Sequence, residues 1–234
     1  MKALILIPSY KRAEVIDLTL KSLFAVHEPS WDITVCVGDN KASPETQEAI
    51  TRYPVRSEPY PDNIGKAAAL NDLLVKYDGD YDVICTMDND MVILKPWYEL
   101  LNAFVRSAYD YVGFGGPRWW WHIPLNREEC PIVSRETMIT VYSPSGIAGG
   151  LLAFKPEFLR AHPWTNFGGV YGVDDGIMCQ QTLSRAVFYW SEDWIRHDPL
   201  SYTVDAPAYL RAYQEKKQAL NIAGKHIFPK NWDE

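Results

Sequence analysis

The sequence predicts an α/β fold built around a mostly parallel central β-sheet. Roughly the first 110 residues alternate short apolar runs with segments of helical periodicity, the pattern of parallel strands joined by right-handed crossover helices. The apolar runs are nearly continuous, as expected of parallel strands that are buried on both faces. The chain has 234 residues, of which 47% are hydrophobic, so it can bury the core of one large domain.

Strands and helices alternate in the first half of the chain. The predicted strands are the apolar runs ALILIP, DITVCVGDN and YDVICTM. Helical spacing of apolar side chains predicts helices within residues 12–26, 42–53, 63–77 and 95–109. Ser43 and Pro44 are the residue types preferred at the N-cap and the first position of the second helix. The segment YPVRSEPYP contains three prolines and is interpreted as a broken connection.

The second half is less regular and predicts a mixed extension of the sheet. Strands are expected within residues 111–117, 136–144, 149–155 and 186–190, and helices within residues 173–185 and 207–221. No repeat, low-complexity linker or domain boundary is visible in the sequence. A single domain over residues 1–234 is therefore predicted.

Polar residues follow three of the predicted strands, in the segments PSYKR, GDN and DND. The carboxyl ends of parallel strands meet at one edge of a sheet, and ligands of open α/β sheets bind there. We therefore expect the three polar segments to converge on one crevice.

Asp88 and Asp90 flank Asn89 directly after the apolar run VICTM. Residues two apart in an extended segment share a face, so both carboxylates can contact the same ligand. Carboxylate oxygens suit Mg²⁺ or Mn²⁺, which bind a few protein carboxylates together with substrate phosphates. A short Asp-x-Asp motif is also common in solvated turns, so the motif alone leaves that alternative open.

Seven short segments follow one another in a recognisable order: IPSYKR, VGDN, DNIGKAAALN, DND, GGLLAF, VDDGIM and RHDP. Together they resemble the landmarks of the family 2 glycosyltransferases with the GT-A fold, over about residues 1–200. The resemblance implies a Rossmann-like GT-A sheet and the transfer of a sugar from a nucleotide-sugar donor to an acceptor hydroxyl. It also implies Mn²⁺ or Mg²⁺ as cofactor.

The resemblance implies a role for each matched position. It implies contacts to the donor nucleotide for Pro8, Tyr10, Arg12, Asp39, Asn63, Gly65, Lys66 and Asp88. Asp90 and His197 are the implied metal ligands, while Asp88 bonds the ribose or a metal-bound water. Asp175 is the implied general base of an inverting reaction, with Asp174 at the acceptor or capping a helix. Because the family has Glu-Asp at this place, which of the two carboxylates is the base stays open.

The acceptor side is the part of the chain that resembles the family least. Residues 1–110 correspond to the nucleotide-sugar-binding half, residues 111–205 to the acceptor and catalytic half, and residues 206–234 to a C-terminal helix and tail. The segment RWWWHIPLNREEC has no counterpart in the resemblance. Trp rings stack on sugars and bases but also fill cores. The candidate acceptor residues are Trp119, Trp120, Trp121, Gly149 and Gly150.

Two other functions are compatible with these residues. One is a sugar-nucleotide-binding protein without catalysis. The other is a nucleotidyltransferase of related fold, although such enzymes open with a Gly-rich basic loop and IPSYKR is not one. A uridine diphosphate sugar is the favoured donor. The acceptor is unknown and includes a glycan, a lipid-linked sugar, a protein or a modified DNA base.

Charge and cysteine content restrict the partners and the compartment. The net charge is -7 and no run of Lys or Arg is present, so general nucleic-acid binding is not expected. Cys36 and Cys85 lie inside predicted strands, where cysteine acts as a small core residue. Widely spaced cysteines and the lack of an apolar segment of membrane-spanning length predict a reduced, cytoplasmic protein without a transmembrane segment.

Overall fold

The computed structural model describes residues 1–26, 28–93, 97–114, 129–134, 139–142, 147, 150–164, 181–182, 184–190 and 195–197. The described strands are β1 (Lys2–Tyr10), β2 (Asp32–Asn40), β3 (Arg56–Tyr60), β4 (Val83–Met87), β5 (Met91–Ile93), β6 (Tyr111–Phe114), β7 (Glu129–Ser134), β8 (Ile139–Tyr142), β9 (Leu151–Phe154), β10 (Arg185–Trp190) and β11 (Ile195–His197). The described helices are α1 (Ala13–Ala25), α2 (Pro44–Thr51), α3 (Lys66–Tyr77), α4 (Tyr98–Arg106) and α5 (Pro156–Ala161).

Nine of these strands form one mixed sheet in the order β3-β2-β1-β4-β9-β6-β10-β8-β7. Strands β3, β2, β1 and β4 run parallel to one another. Strand β9 runs antiparallel between β4 and β6, and β8 runs antiparallel between β10 and β7. The other seven strands of the described sheet share one direction. The predicted α/β fold with a mostly parallel sheet and a mixed extension is confirmed.

Both faces of the sheet are covered by helices. Along β1, Ala3, Ile5 and Ile7 face a core shared with α1, α2 and α4, whereas Leu4 and Leu6 face a core shared with α3 and α5. All five side chains are fully buried. Burial on both faces explains why the strand sequences are continuously apolar rather than alternating.

The helices of the first half form where the sequence predicts them. The Ser43 side chain accepts a hydrogen bond from the Thr46 backbone N–H, and the Thr46 hydroxyl accepts one from the Ser43 N–H, so a capping box begins α2. Cys36 and Cys85 are buried free thiols, and burial raises the pKa of the Cys36 thiol to about 12. Among the described residues, no helix has both the length and the apolar character needed to cross a membrane.

The prediction for residues 53–61 is wrong, because this segment contains β3. The strand lies at the edge of the sheet beside β2, and Pro59 pairs with Asp39 in the register. An edge strand tolerates proline because its outer side needs no ladder hydrogen bonds.

Strands β5, β7 and β11 and helix α5 were not predicted either. Strands β5 and β11 have three residues each and are too short to show a periodic pattern. The helices predicted within residues 173–185 and 207–221 lie almost entirely outside the described residues.

Candidate functional site

Three polar segments meet at one edge of the sheet, as their places in the sequence predict. They lie at the carboxyl ends of β2 and β1 and directly after β4, and these three strands are consecutive neighbours in the sheet. We use "β4 end" for Arg12, Lys66, Asp88 and Asp90, and "β2 end" for Asp39, Thr46 and Gln47. At the usual strand separation, the ends of β2 and β4 lie about 10 Å apart.

The Asp88–Asp90 segment is a turn between β4 and β5 rather than a free loop. The Asp88 N–H donates to the Gly150 carbonyl at 2.8 Å, and the Met91 N–H donates to the Asp88 carbonyl at 3.3 Å. Asp90 is 8% exposed, although it is ionisable. The segment therefore presents its carboxylates from a backbone that is fixed on both sides.

Asn89, between the two aspartates, braces this turn. Its carbonyl accepts a hydrogen bond from the Thr19 hydroxyl of α1 at 2.7 Å, and its amide donates to the Ser9 hydroxyl of β1 at 3.3 Å. One turn further along α1, the Ser22 hydroxyl accepts from the Ile93 N–H at 3.0 Å. The middle residue of the motif thus has a structural role that differs from that of its neighbours.

Each carboxylate of the motif contacts a basic side chain from another element. Lys66 Nζ lies 2.9 Å from Asp88 Oδ1, and Arg12 Nη1 lies 3.7 Å from Asp90 Oδ2. The four side chains are between 12% and 29% exposed. Each carboxylate of the motif therefore has an opposite charge from a distant part of the sequence at or near contact distance.

The backbone after β1 adopts an unusual conformation that places Arg12. Lys11 and Arg12 have φ values of 53° and 66°, in the left-handed region that non-glycine residues rarely occupy. The Arg12 carbonyl accepts hydrogen bonds from the Val15 and Ile16 N–H groups, so the strained turn also starts α1. Lys41, directly after β2, has a φ of 55°. Strain of this kind is concentrated at functional sites.

A second loop is docked on the end of β2 and delivers Lys66. The Asn40 side chain accepts from the Ile64 N–H at 3.1 Å, and the Asn63 side chain accepts from the Gly65 N–H at 3.1 Å. Gly65 has a φ of 88° and immediately precedes α3, which begins at Lys66. Glycine suits this position because a side chain would be strained at that φ.

The β2 end has a different character, because its carboxylate is fully buried. Asp39 Oδ2 accepts hydrogen bonds from the Gln47 amide at 2.7 Å and from the Thr46 hydroxyl at 2.9 Å. The other oxygen, Oδ1, is buried and accepts no hydrogen bond from the described residues. Burial raises the pKa of the Asp39 carboxyl, while the two hydrogen bonds oppose that rise.

The backbone brings His197 next to the aspartate motif. Strand β11 pairs antiparallel with β5, and His197 is the register partner of Met91, the residue after Asp90. A residue more than 100 positions away in the sequence thus shares a two-stranded sheet with the strand that directly follows the motif. The spacing of residue types alone gives no sign of this pairing.

The other predicted site residues fall into two groups. Pro8 and Tyr10 lie at the end of β1 and pair with Gly38 and Asn40, and Gly150 supports the turn as described above. Outside the described residues lie Asp174, Asp175, Trp119, Trp120, Trp121 and Gly149.

Several residues that shape the site were not singled out from the sequence. They are Ser9, Thr19, Asn40, Thr46, Gln47 and Asn89. Asn40 and Asn89 stand inside the quoted GDN and DND segments, so their place at strand ends is a usable signal. Thr46 and Gln47 read only as the first turn of a capped helix, because their partner Asp39 belongs to the preceding strand.

The donor set at the β4 end suits a hard divalent cation. Its carboxylates offer the oxygen ligands that Mg²⁺ and Mn²⁺ prefer. The cationic side chain already beside Asp90 shows that this position accommodates a positive charge. Within the described residues, no cluster of three or more His, Cys, Asp or Glu side chains could by itself hold a metal. A cation here would need further ligands from a bound molecule or from other parts of the chain.

A family model matches the first half of the chain. The model described as glycosyl transferase family 2 matches residues 4–128, just over half of the chain. The matched region contains both the β2 end and the β4 end. No curated protein sequence matches the chain.

Solved structures with a similar fold include three nucleotide or nucleotide-sugar complexes. The mannosyltransferase PcManGT from Pyrobaculum calidifontis, in complex with GDP-Man and Mn²⁺, has a TM-score of 0.57 and 20% identity, over 79% of this chain and 56% of that one. S. aureus TarS 1-349 with UDP-GlcNAc has a TM-score of 0.59 and 13% identity, over 84% of this chain and 60% of that one. GalNAc-T7 with UDP, GalNAc and Mn²⁺ has a TM-score of 0.66 and 13% identity, over 84% of this chain and 44% of that one. At these identities the likeness concerns the fold, and the matched regions span only about half of those chains.

Proposed function

The chain belongs to glycosyltransferase family 2, and we propose that it transfers a sugar from a nucleotide-sugar donor to an acceptor hydroxyl. The observation that carries the proposal is the pair of sites at the carboxyl edge of the sheet. One site holds a buried carboxylate with an oxygen that accepts no hydrogen bond from the described residues, and the other, about 10 Å away, holds two carboxylates and two cations. This spacing suits a ligand with a nucleobase at one end and a diphosphate at the other.

The β4 end is proposed to bind the diphosphate. Lys66 and Arg12 supply positive charge, and Lys66 stands at the first position of α3, where the helix dipole also favours anions. Asp88 then bonds the ribose or a metal-bound water. Donor phosphates would compete with Asp88 and Asp90 for these two cations, so ligand binding exchanges one set of ion pairs for another.

Mn²⁺ or Mg²⁺ is the proposed cofactor, with Asp90 and His197 as its protein ligands. When bound, the cation neutralises negative charge that develops on the departing nucleoside diphosphate. Two of the similar structures contain Mn²⁺ together with a nucleotide or nucleotide sugar, which supports this choice. The backbone pairing of His197 with Met91 supports its nearness to Asp90.

The proposed transfer inverts the sugar's anomeric centre. The acceptor oxygen forms a bond to the anomeric carbon as the bond from that carbon to the diphosphate oxygen breaks. Asp175 accepts the proton of the acceptor hydroxyl, and Asp174 supports the acceptor or caps a helix. These two roles rest on the place of Asp174 and Asp175 in the VDDGIM segment.

Trp164, which precedes these aspartates in the sequence, is held by helix α3. The Asn71 amide donates to the Trp164 carbonyl at 2.6 Å, and the Asn71 oxygen accepts from the Trp164 N–H at 3.0 Å. Asn71 belongs to α3, the same helix that begins with Lys66. Helix α3 therefore contacts Trp164 and also carries Lys66 of the proposed diphosphate site.

The acceptor is proposed to bind on the side of Gly149, Gly150 and the tryptophans at residues 119–121. Gly150 already contacts the Asp88 backbone, so a molecule held there would lie near the donor site. The identity of the acceptor does not enter the test of the donor site.

A donor panel tests the proposal directly. Nucleotide sugars with uracil, guanine, cytosine and adenine bases are mixed with the protein and Mn²⁺, and melting temperature and slow donor hydrolysis are recorded. We expect a uridine diphosphate sugar to raise the melting temperature; at about 100 times its dissociation constant it should add roughly 2.7 kcal/mol. If no nucleoside diphosphate or nucleotide sugar shifts the melting temperature, with or without metal, the proposed function is wrong. Synthesis of a nucleotide sugar from a nucleoside triphosphate and a sugar phosphate would instead identify a nucleotidyltransferase.

A further inference from the structure

Two buried hydroxyl groups occupy positions where the neighbouring side chains are apolar. Thr19 is fully buried on the face of α1 that is otherwise formed by Val15, Ile16, Leu20 and Leu23. Ser9 is also buried, and by the two-residue period of a strand it continues the row of β1 side chains that enters the same core, Ala3, Ile5 and Ile7. A buried hydroxyl needs a hydrogen-bond partner, so each of these residues points to a specific contact.

Both hydroxyl groups contact Asn89, the middle residue of the Asp-x-Asp motif. The Thr19 hydroxyl donates to the Asn89 carbonyl at 2.7 Å, and the Asn89 amide donates to the Ser9 hydroxyl at 3.3 Å. A threonine inside a helix can bond a carbonyl one turn back in its own helix, but Thr19 donates to a different element. The two hydroxyls therefore support the turn between β4 and β5.

These contacts restrict the backbone on both sides of Asp90. The Asn89 carbonyl belongs to the planar peptide that joins Asn89 to Asp90, so the bond from Thr19 holds the plane of that peptide. The next peptide is held because the Met91 N–H donates to the Asp88 carbonyl at 3.3 Å. The Asp90 carboxylate then keeps mainly the freedom of its own side-chain torsions. Less conformational entropy is lost when such a carboxylate binds a cation.

We propose that Thr19 and Ser9 are positioning residues of the cation site, whose hydroxyl groups fix Asn89 and thereby hold Asp90 ready for a divalent cation. This inference rests on the proposed function and specifies what sets the metal affinity of that site. Partners that orient a metal ligand without touching the metal commonly change its affinity 10- to 100-fold.

A third hydroxyl extends this support to the strand after the motif. The Ser22 hydroxyl donates to the Thr19 carbonyl at 2.9 Å and accepts from the Ile93 N–H at 3.0 Å. Ile93 ends β5, the strand that pairs with β11 and hence with the backbone of His197. Helix α1 therefore holds both the motif and the strand that follows it.

The test measures the metal gain, defined as the ratio of the nucleotide dissociation constant without Mn²⁺ to that with Mn²⁺. Calorimetry is done with whichever of UDP, GDP, CDP and ADP the wild-type protein binds most tightly. Thr19→Val removes the hydroxyl and should reduce the metal gain by about 10-fold or more, with little change in affinity without metal. Ser9→Ala should reduce it less, because its hydrogen bond is longer.

A conservative variant and a control separate positioning from packing. Thr19→Ser keeps the hydroxyl and should retain the metal gain. A residue that only fills space would give the opposite order, since valine keeps the volume of threonine and serine does not. Tyr53→Phe is the matched control, because the Tyr53 hydroxyl also bonds α1, at the Asp17 carbonyl, but does not contact the motif. It should leave the metal gain unchanged.

The outcomes distinguish this inference from the proposed function. A wild-type metal gain in Thr19→Val, or equal losses in Thr19→Val and Thr19→Ser, would overturn the inference and leave the proposed function standing. Absence of a metal gain in the wild-type protein would overturn the proposed metal site and the inference together. If Thr19→Val does not fold, Ser9→Ala decides: a reduced metal gain supports the inference, and an unchanged gain overturns it.

Discussion

The β2 end and the β4 end use the same residue type in opposite environments. Asp39 is fully buried and held by neutral donors, and burial raises its pKa. Asp88 is partly exposed and Asp90 is mostly buried, and they contact the cationic side chains of Lys66 and Arg12, respectively. A carboxylate held by neutral donors can recognise a ligand by accepting a hydrogen bond from it. Carboxylates beside cations instead neutralise the charge of those cations. We therefore propose that one end of the donor is recognised through hydrogen bonds and that charge is neutralised at the other end.

The largest effect is expected at the β4 end, from removal of Asp90. Asp90→Ala should abolish metal-dependent donor binding, a loss of more than about 100-fold, because changes in a metal's outer shell alone cost 10–100-fold. His197→Ala should weaken binding less. Asp80→Ala is the control, since the Asp80 side chain is fully exposed. Calorimetry with and without Mn²⁺ measures donor binding by each variant. If Asp90→Ala binds the donor normally in a metal-dependent way, the Asp-x-Asp motif is only a structural turn.

Substitutions of Asp175 and Asp174 separate the transfer step from donor binding. Asp175→Asn keeps the size of the side chain but cannot accept a proton, so transfer should fall by about 100-fold or more while donor affinity is unchanged. Asp174→Asn should act mainly on acceptor affinity or stability. Steady-state kinetics, with donor binding measured separately, compare the two variants. If Asp174→Asn has no transfer activity while Asp175→Asn is active, the two roles are reversed. If both variants are active, the general base is another residue.

Lys66 tests the charge-balancing character of the β4 end. Lys66→Met should weaken UDP binding by about 10-fold or more, the scale of one charge-assisted hydrogen bond. It should also make binding less sensitive to salt, because one screened attraction is lost. Lys76→Met, near the other end of the same helix, is the matched control, since Lys76 pairs with Glu58 instead. Equal effects of the two substitutions would contradict a specific role for Lys66.

The smallest expected effect is the pH dependence of stability from Asp39. Its folded-state pKa is raised above the ordinary value of 3.8, so the stability it contributes is present below that value and is lost as the pH rises through the folded pKa. Without ligand, the wild-type protein should therefore lose stability relative to Asp39→Asn as the pH rises from about 4 toward neutrality. Urea unfolding of both proteins across this range measures the difference. A wild-type protein that gains stability relative to Asp39→Asn as the pH rises over this range would contradict a raised pKa.

Much of the fold was readable from the sequence because it depends on local patterns. Continuous apolar runs gave the buried strands, and the polar residues after them gave the edge at which the site forms. The prolines around β3 concealed a strand, since edge position, a tertiary property, decides whether proline is tolerated. Strands β5 and β11 have three residues each, and their pairing joins distant segments.

The sequence predicted only those parts of the candidate site that depend on the position of a residue within its own strand or loop. Asp39, Asp88 and Asp90 stand at strand ends, so their convergence followed from the predicted topology. The support from Gln47, Thr19 and the other hydroxyl and amide partners depends on packing between elements, which a pattern of residue types does not specify. Roles for Asp174, Asp175 and the tryptophans at residues 119–121 stay predictions.

The most direct test of the two-ended site is a crystal structure of the protein with a uridine diphosphate sugar and Mn²⁺, with the metal located by its anomalous scattering. We predict the manganese peak beside Asp90, the diphosphate beside Lys66, and the uracil ring N–H donating to Asp39 Oδ1. A nucleotide bound in the reverse direction, or a manganese peak away from the β4 end, would contradict the account.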